Sequence, residues 1–78
     1  MTVSITNIDS SVSADELKSL LEEYGSIDQL ELHEPLLDGS RRAWITCDEI
    51  TGTTIVKHLQ GDILRGRIIK AELLHAAP

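Results

Sequence analysis

The spacing of hydrophobic and polar positions predicts six elements in this chain. Thr2 to Asn7 alternates Val3 and Ile5 with Ser4 and Thr6, the period-two pattern of a half-buried strand. Asn7 to Val12 is a polar connection. Ser13-Ala14-Asp15-Glu16 forms a capping box, in which the Ser13 hydroxyl accepts from the Glu16 amide. Leu17, Leu20, Leu21 and Tyr24 follow at helical spacing, and Gly25 is the expected stop. Ile27, Leu30 and Leu32 mark a second strand that ends at Pro35, with a turn at Asp38-Gly39. Arg42 to Cys47 is the third strand. Asp48 caps a second helix whose inner face is Gly52, Ile55, Val56 and Leu59; its threonines and Gly52 make it weak in propensity. Gly61 ends it, Ile63-Leu64 leads into Arg65-Gly66-Arg67, and a last strand runs from Ile68 to about Leu73. The order is β-α-β-β-α-β, the α+β ferredoxin-like arrangement. It implies a four-stranded antiparallel sheet with two helices on one face and the other face open.

The inward positions of each period give the expected core: Val3, Ile5, Leu17, Leu20, Leu21, Ile27, Leu30, Leu32, Ala43, Ile45, Ile55, Val56, Leu59, Ile69 and Ala71. The opposite parity gives the open face. There the sheet presents Ser4 and Thr6, then Gln29, Glu31 and His33, then Arg42, Trp44 and Thr46, then Lys70 and Glu72.

Trp44 changes this picture most. The chain has one Trp, one Tyr and no Phe. A protein so poor in aromatics is expected to bury its only Trp, yet the register sends Trp44 outward between Arg42 and Thr46. Either it is a contact residue or its indole lies over neighbouring side chains, with Arg42 or Lys70 packed on it.

Seventy-eight residues make a single domain, expected over 1–75 with a frayed tail at 76–78. Cys47 is the only cysteine, so no intrachain disulfide staples the fold. It reads as a small buried apolar residue in a reducing cytoplasm. No leader-like or membrane-spanning run is visible, and a cytoplasmic monomer is the expectation. The net charge of −6 argues against a generic polyanion binder. The charge is uneven. Nine of the thirteen acids lie between Asp9 and Asp38, with only Lys18 as a base, whereas six of the seven bases follow Gly39.

Several stretches carry a resemblance. Glu16 to Ile27 resembles the first helix of the RNA recognition motif (RRM) family and its exit into the second strand. Ile55-Val56-Lys57-His58-Leu59-Gln60-Gly61, followed by Gly66-Arg67, is similar to that family's second helix and the approach to its last strand. Val3-Ser4-Ile5-Thr6-Asn7-Ile8 resembles the short signature of its first strand, and Ser40 to Cys47 its eight-residue signature. The resemblance implies binding of single-stranded RNA on the open sheet face, by stacking bases on three aromatic positions. Those positions here are Ser4, Arg42 and Trp44, so one aromatic remains. Ser40, Arg41, Arg42 and Cys47 also depart from the octamer. The RNA-binding residues this implies are Trp44 and Arg42, joined by Arg41, Lys70, Ser4, Thr6, Asn7, Thr46 and His33. Arg41, Arg42, Lys70 and Arg67 are the cations expected to reach phosphate.

A protein-binding module is the alternative, using Trp44 or the acidic face of the first helix (Asp15, Glu16, Glu22, Glu23). The loop Arg65-Gly66-Arg67 invites comparison with RRM-like peptide binders, but position 67 is Arg where those have Phe. Other chemistry finds no support. His33, His58 and His75 have no metal-ligand spacing to one another or to Cys47. No glycine-rich phosphate loop and no nucleophile–base pair appears, so neither a cofactor nor an enzyme activity is expected.

Overall fold

A computed structural model describes residues 1–74; His75 and the tail expected at 76–78 lie outside the described residues. The elements are β1 (Thr2–Asp9), α1 (Ala14–Glu22), β2 (Ile27–Leu32), β3 (Ser40–Cys47), α2 (Glu49–Leu59), β4 (Ile63–Leu64), β5 (Arg67–Ile68) and β6 (Lys70–Leu74). Four strands form one antiparallel sheet in the order β2-β3-β1-β6. The helices cover one face, α1 over β2 and α2 over β6, β1 and β3. This is the expected ferredoxin-like β-α-β-β-α-β fold.

Both helix starts follow from their caps. Ser13 is extended and its side chain accepts from the Glu16 amide; Asp48 does the same for Thr51. Helix α1 ends at Glu22, before Gly25 is reached. Gly25 therefore serves a different need from the one expected. Its φ is +153°, and a Cβ placed there would collide with the buried Thr51 side chain near the start of α2. Close approach of the α1–β2 connection to α2, and not a helix cap, requires the glycine.

The core is Val3, Ile5, Ile8, Val12, Leu17, Leu21, Ala43, Ile45, Cys47, Ile55, Leu59, Ile69 and Ala71. Ile27, Leu30, Leu32 and Val56 are half-buried against it. Two corrections stand against the expected list. Leu20 is only half-buried and lies outside the core, because α1 turns Leu17 and Leu21 inward. Ile8 and Val12, read as connection, are fully buried.

Ile8 turns inward because β1 carries a bulge. Ile5 pairs with Ala43 and Ile8 with Arg41, so three steps on β1 match two on β3. Asn7 takes up the extra residue at φ +63°, a conformation that Asn tolerates. The bulge reverses the strand parity and sends Ile5 and Ile8 to the same side. A second register shift between Ile27 and Gln29 does the same in β2. It lets Ile27 pack on the core while Gln29 and Glu31 are exposed.

The hairpin β4–β5 was not expected. Leu64 pairs with Arg67 across a two-residue turn, with Arg65 at φ +51° and Gly66 at φ +81°. Positive φ at both positions is what the type I′ hairpin turn demands.

Candidate nucleic-acid interface

The open face is built from rows that cross the strands. In the central row, Trp44 stands between Ser4 of β1 and Glu31 of β2, and Ser4 in turn faces Glu72 of β6. One neighbouring row holds Thr46 between Thr2 and Gln29. On the other side, Thr6 faces Lys70, and the His33 amide donates to the Arg42 carbonyl at 2.8 Å. Trp44 is 47% exposed, so the register read from the sequence holds. The indole has an aromatic neighbour. His33 meets it edge-on, with centroids 5.0 Å apart and planes at 70°. His33 Nε2 lies 3.3 Å from Glu31 Oε1. The alternative reading of Trp44 packs Arg42 or Lys70 on the indole; the aromatic neighbour found is His33.

The nine residues expected to meet RNA separate into three groups. Trp44, Arg42, Lys70, Ser4, Thr6, Thr46 and His33 are exposed or half-buried on or beside the open sheet. Arg41 has the strand parity of Ala43 and Ile45, opposite to Trp44, and its Nε donates to the His33 carbonyl at 2.9 Å. It is a brace between β3 and the end of β2. Asn7 is also engaged internally. Its Nδ2 donates to the Ile68 carbonyl at 2.8 Å and its Oδ1 accepts from Arg67 Nη1 at 3.1 Å. It positions the β4–β5 hairpin against the bulge.

The arginines of that hairpin are committed in the same way. Arg67 donates from Nε to Asp9 Oδ1 at 3.3 Å, from Nη1 to Asn7 and from Nη2 to the Asp38 carbonyl at 2.8 Å. Arg65 forms a two-pronged pair with Glu16 and reaches the Ser11 hydroxyl. Arg67 is therefore withdrawn from the set expected to reach phosphate. The pairing also couples the acidic start of α1 to the loop compared above with those of peptide binders, using one of its carboxylates. Among the described residues the Lys, Arg, Asp and Glu charges of the open face balance: Arg42 and Lys70 against Glu31 and Glu72. Sequence reading could not assign these pairings, because the partners lie 29 to 60 residues apart.

Hydrogen bonds hold three aspartates below the ordinary aspartate range. Ser11 donates to Asp9 and Ser40 to Asp38, with smaller help from Arg67, while the Thr51 amide donates to Asp48. A lowered folded pKa means the native state favours the charged form. That stabilisation is complete above the ordinary aspartate value and is lost as pH falls through the lowered one. The melting temperature should drop on acidification below about pH 4. Asp9→Asn and Asp38→Asn should each show a smaller drop between pH 6 and pH 3 than the parent, by circular dichroism. An acid response identical to the parent's in both variants would remove these carboxylates from the account.

Other chemistry does not assemble. Among the described residues, no three His, Cys, Asp or Glu side chains gather at metal-ligand distances. Burial raises the Cys47 thiol above its ordinary pKa, away from nucleophile behaviour. No helix among the described residues is long and apolar enough to cross a membrane. The sequence reading also passed over exposed apolar residues outside the sheet: Leu36 and Leu37 in the β2–β3 loop, and Ile63 and Ile68, which face each other on the hairpin.

No protein-family profile matches the chain, and no curated protein matches it. Solved structures do. The third RRM of Pes4 superposes with a TM-score of 0.89 at 15% identity, covering 99% of this chain and 94% of that one. The first two RRM domains of the yeast poly(U) binding protein Pub1 give a TM-score of 0.88 at 15% identity, covering all of this chain and 48% of that two-domain chain. The Rna15 RRM, solved with bound RNA (GU), gives 0.78 at 20% identity, covering 91% of this chain and 79% of that one. At these identities the likeness speaks for the fold. Together with the element order and the four-stranded antiparallel sheet backed by two helices, it establishes that this chain has the fold of the RNA recognition motif.

Proposed function

We propose that this protein is a monomeric RNA-binding module, and that it holds single-stranded RNA weakly on its open sheet face. The observation that carries this reading is Trp44, the chain's only Trp, exposed at the centre of that face. Exposure of a large aromatic costs a small domain apolar burial it can ill spare. A base stacked on the indole restores that burial, for about 1–3 kcal/mol. The Rna15 RRM, which shares the fold, was solved with RNA bound, and this adds weight to the reading.

Weakness follows from what is missing. Ser4 and Arg42 occupy two positions where the RRM family stacks bases, so one stacking platform remains. Among the described residues, Arg42 and Lys70 are the cations of the face outside any ion pair, and Arg41 and Arg67 are held internally. Two phosphate contacts at about −0.7 each predict a log–log salt slope near −1.4. Quenching of Trp44 fluorescence by a mixed-sequence single-stranded RNA, titrated at several salt concentrations, tests both statements. The expected result is saturable quenching with a shallow slope. Absence of quenching at low salt overturns the reading, and a slope steeper than about −3 would place the RNA on a different, basic surface.

A protein ligand is the second reading. The observation that favours it is an exposed Trp beside an exposed Arg on a face with almost no net charge, the residue types that dominate protein hot spots. Retention of a protein by the parent but not by Trp44→Ala, with no fluorescence response to RNA, is its signature.

A further inference from the structure

We propose that the base seated on Trp44 is a guanine, read by the carboxylate of Glu31. The inference rests on the RNA-binding reading and names the ligand of the same site. Glu31 is the direct cross-strand partner of Trp44. Such partners on one face bring their Cβ atoms to about 4.5–5.5 Å, so the carboxylate borders the indole. His33 closes the corner between them, edge-on to the indole at 5.0 Å and 3.3 Å from Glu31 Oε1. Trp44, His33 and Glu31 therefore form a floor and a wall along the β2 side. The β1 side is different. Ser4 stands there, and it is too small to supply a second stacking surface or a facing wall. A base lying on Trp44 is thus oriented by its edge, and the polar group fixed at that edge is Glu31.

The chemistry of the edge selects the base. A carboxylate is acceptor-only. Among the described residues the one ion-pair partner of Glu31 is His33, and the Glu31 side chain is 66% exposed, so it retains capacity for further donors. The Watson–Crick edge of guanine offers two adjacent donors, N1–H and the N2 amino group, spaced to meet both carboxylate oxygens in a charge-assisted pair. Cytosine and adenine each offer one amino group beside a ring nitrogen that repels the carboxylate. Uracil offers a single N3–H between two carbonyl oxygens. The same carboxylate, with Glu72 farther along the row, keeps phosphates off the central row. The backbone is directed instead toward Lys70 and Arg42.

The test uses four oligouridylates that differ at one central position, carrying uridine, guanosine, inosine or cytidine. Trp44 fluorescence is read for the parent and for Glu31→Gln. Guanosine should bind about tenfold or more tightly than uridine, the discrimination expected of one two-pronged base contact. Inosine, which lacks the N2 amino group, should lose most of that gain. Glu31→Gln should bind the guanosine and uridine oligomers within about twofold of each other, with an unchanged melting temperature. Quenching by all four with equal affinity overturns the guanine assignment and leaves RNA binding standing. Preference for cytidine, or a guanosine preference that survives Glu31→Gln, overturns it too. No quenching by any oligomer overturns both readings together.

Discussion

Leu17→Ala is expected to lower the unfolding free energy by about 2–5 kcal/mol, a large share of the total for a domain of this size. Leu17 is completely buried in α1, in the same cluster as Leu21, Ile45 and Ile55. Removing its isobutyl group leaves a void that close-packed neighbours fill only in part, so the lost transfer energy and the cavity add. Leu20, three positions on, is a control on the same helix. It is half-buried and outside the core, and Leu20→Ala should cost about 1 kcal/mol. Urea unfolding followed by far-ultraviolet circular dichroism separates the two. Fluorescence is unsuited here, because the single Trp is already half-exposed in the native state. Equal losses at both positions would mean that α1 is rotated about its axis from the orientation described.

Trp44→Ala is expected to weaken binding of single-stranded RNA by about 1–3 kcal/mol while leaving stability within about 0.5 kcal/mol of the parent. The indole is exposed at the centre of the open face, so its loss opens no cavity. Stacking carries no charge, and the salt slope should therefore persist. Arg42→Ala is the complement. It should weaken binding and flatten the slope by about 0.7 if the guanidinium holds a phosphate, or leave the slope unchanged if it stacks on a base. Isothermal titration calorimetry at two salt concentrations measures affinity and slope for each variant. Affinities equal to the parent's in both variants would place the RNA elsewhere on the molecule.

What could be read from the sequence, and what could not, follows the range of the forces involved. Strand parity is local, so β3 alone put Trp44 outward and Ala43, Ile45 and Cys47 inward, as found. Both caps were local as well, since Ser13 and Asp48 each bond an amide three residues on. Alternation failed where a bulge intervened. Ile8 was misread because Asn7 adopts positive φ and reverses parity after Ile5. A signal was present, since Asn is among the few residues that tolerate that conformation, but only the partner strand fixes where the extra residue falls. The β4–β5 hairpin escaped because Arg65-Gly66 lacks the Asn-Gly or Asp-Gly signature of a type I′ turn. Its energetic support comes from Glu16, Ser11, Asp9 and Asn7, all remote in sequence.

The candidate site divided along the same line. Trp44, Arg42, Lys70 and His33 were placed by period and are found on or beside the open face. Arg41 is expected at the site for its charge beside a turn and Asn7 for its place in the first-strand signature, and their side chains are bonded within the protein. Arg65 and Arg67 neutralise Glu16 and Asp9 and contribute no free cation to the sheet.

The central claim is that single-stranded RNA lies on the open sheet face, and an NMR titration of isotopically labelled protein with a randomised single-stranded RNA pool at low salt tests it most directly. The account predicts progressive shifts of the Trp44 indole resonance and of the amides of Ser4, Thr6, Glu31, His33, Arg42, Thr46 and Lys70, with the amides of α1 and α2 unmoved. Shifts confined to the helices, or none at all, would contradict it.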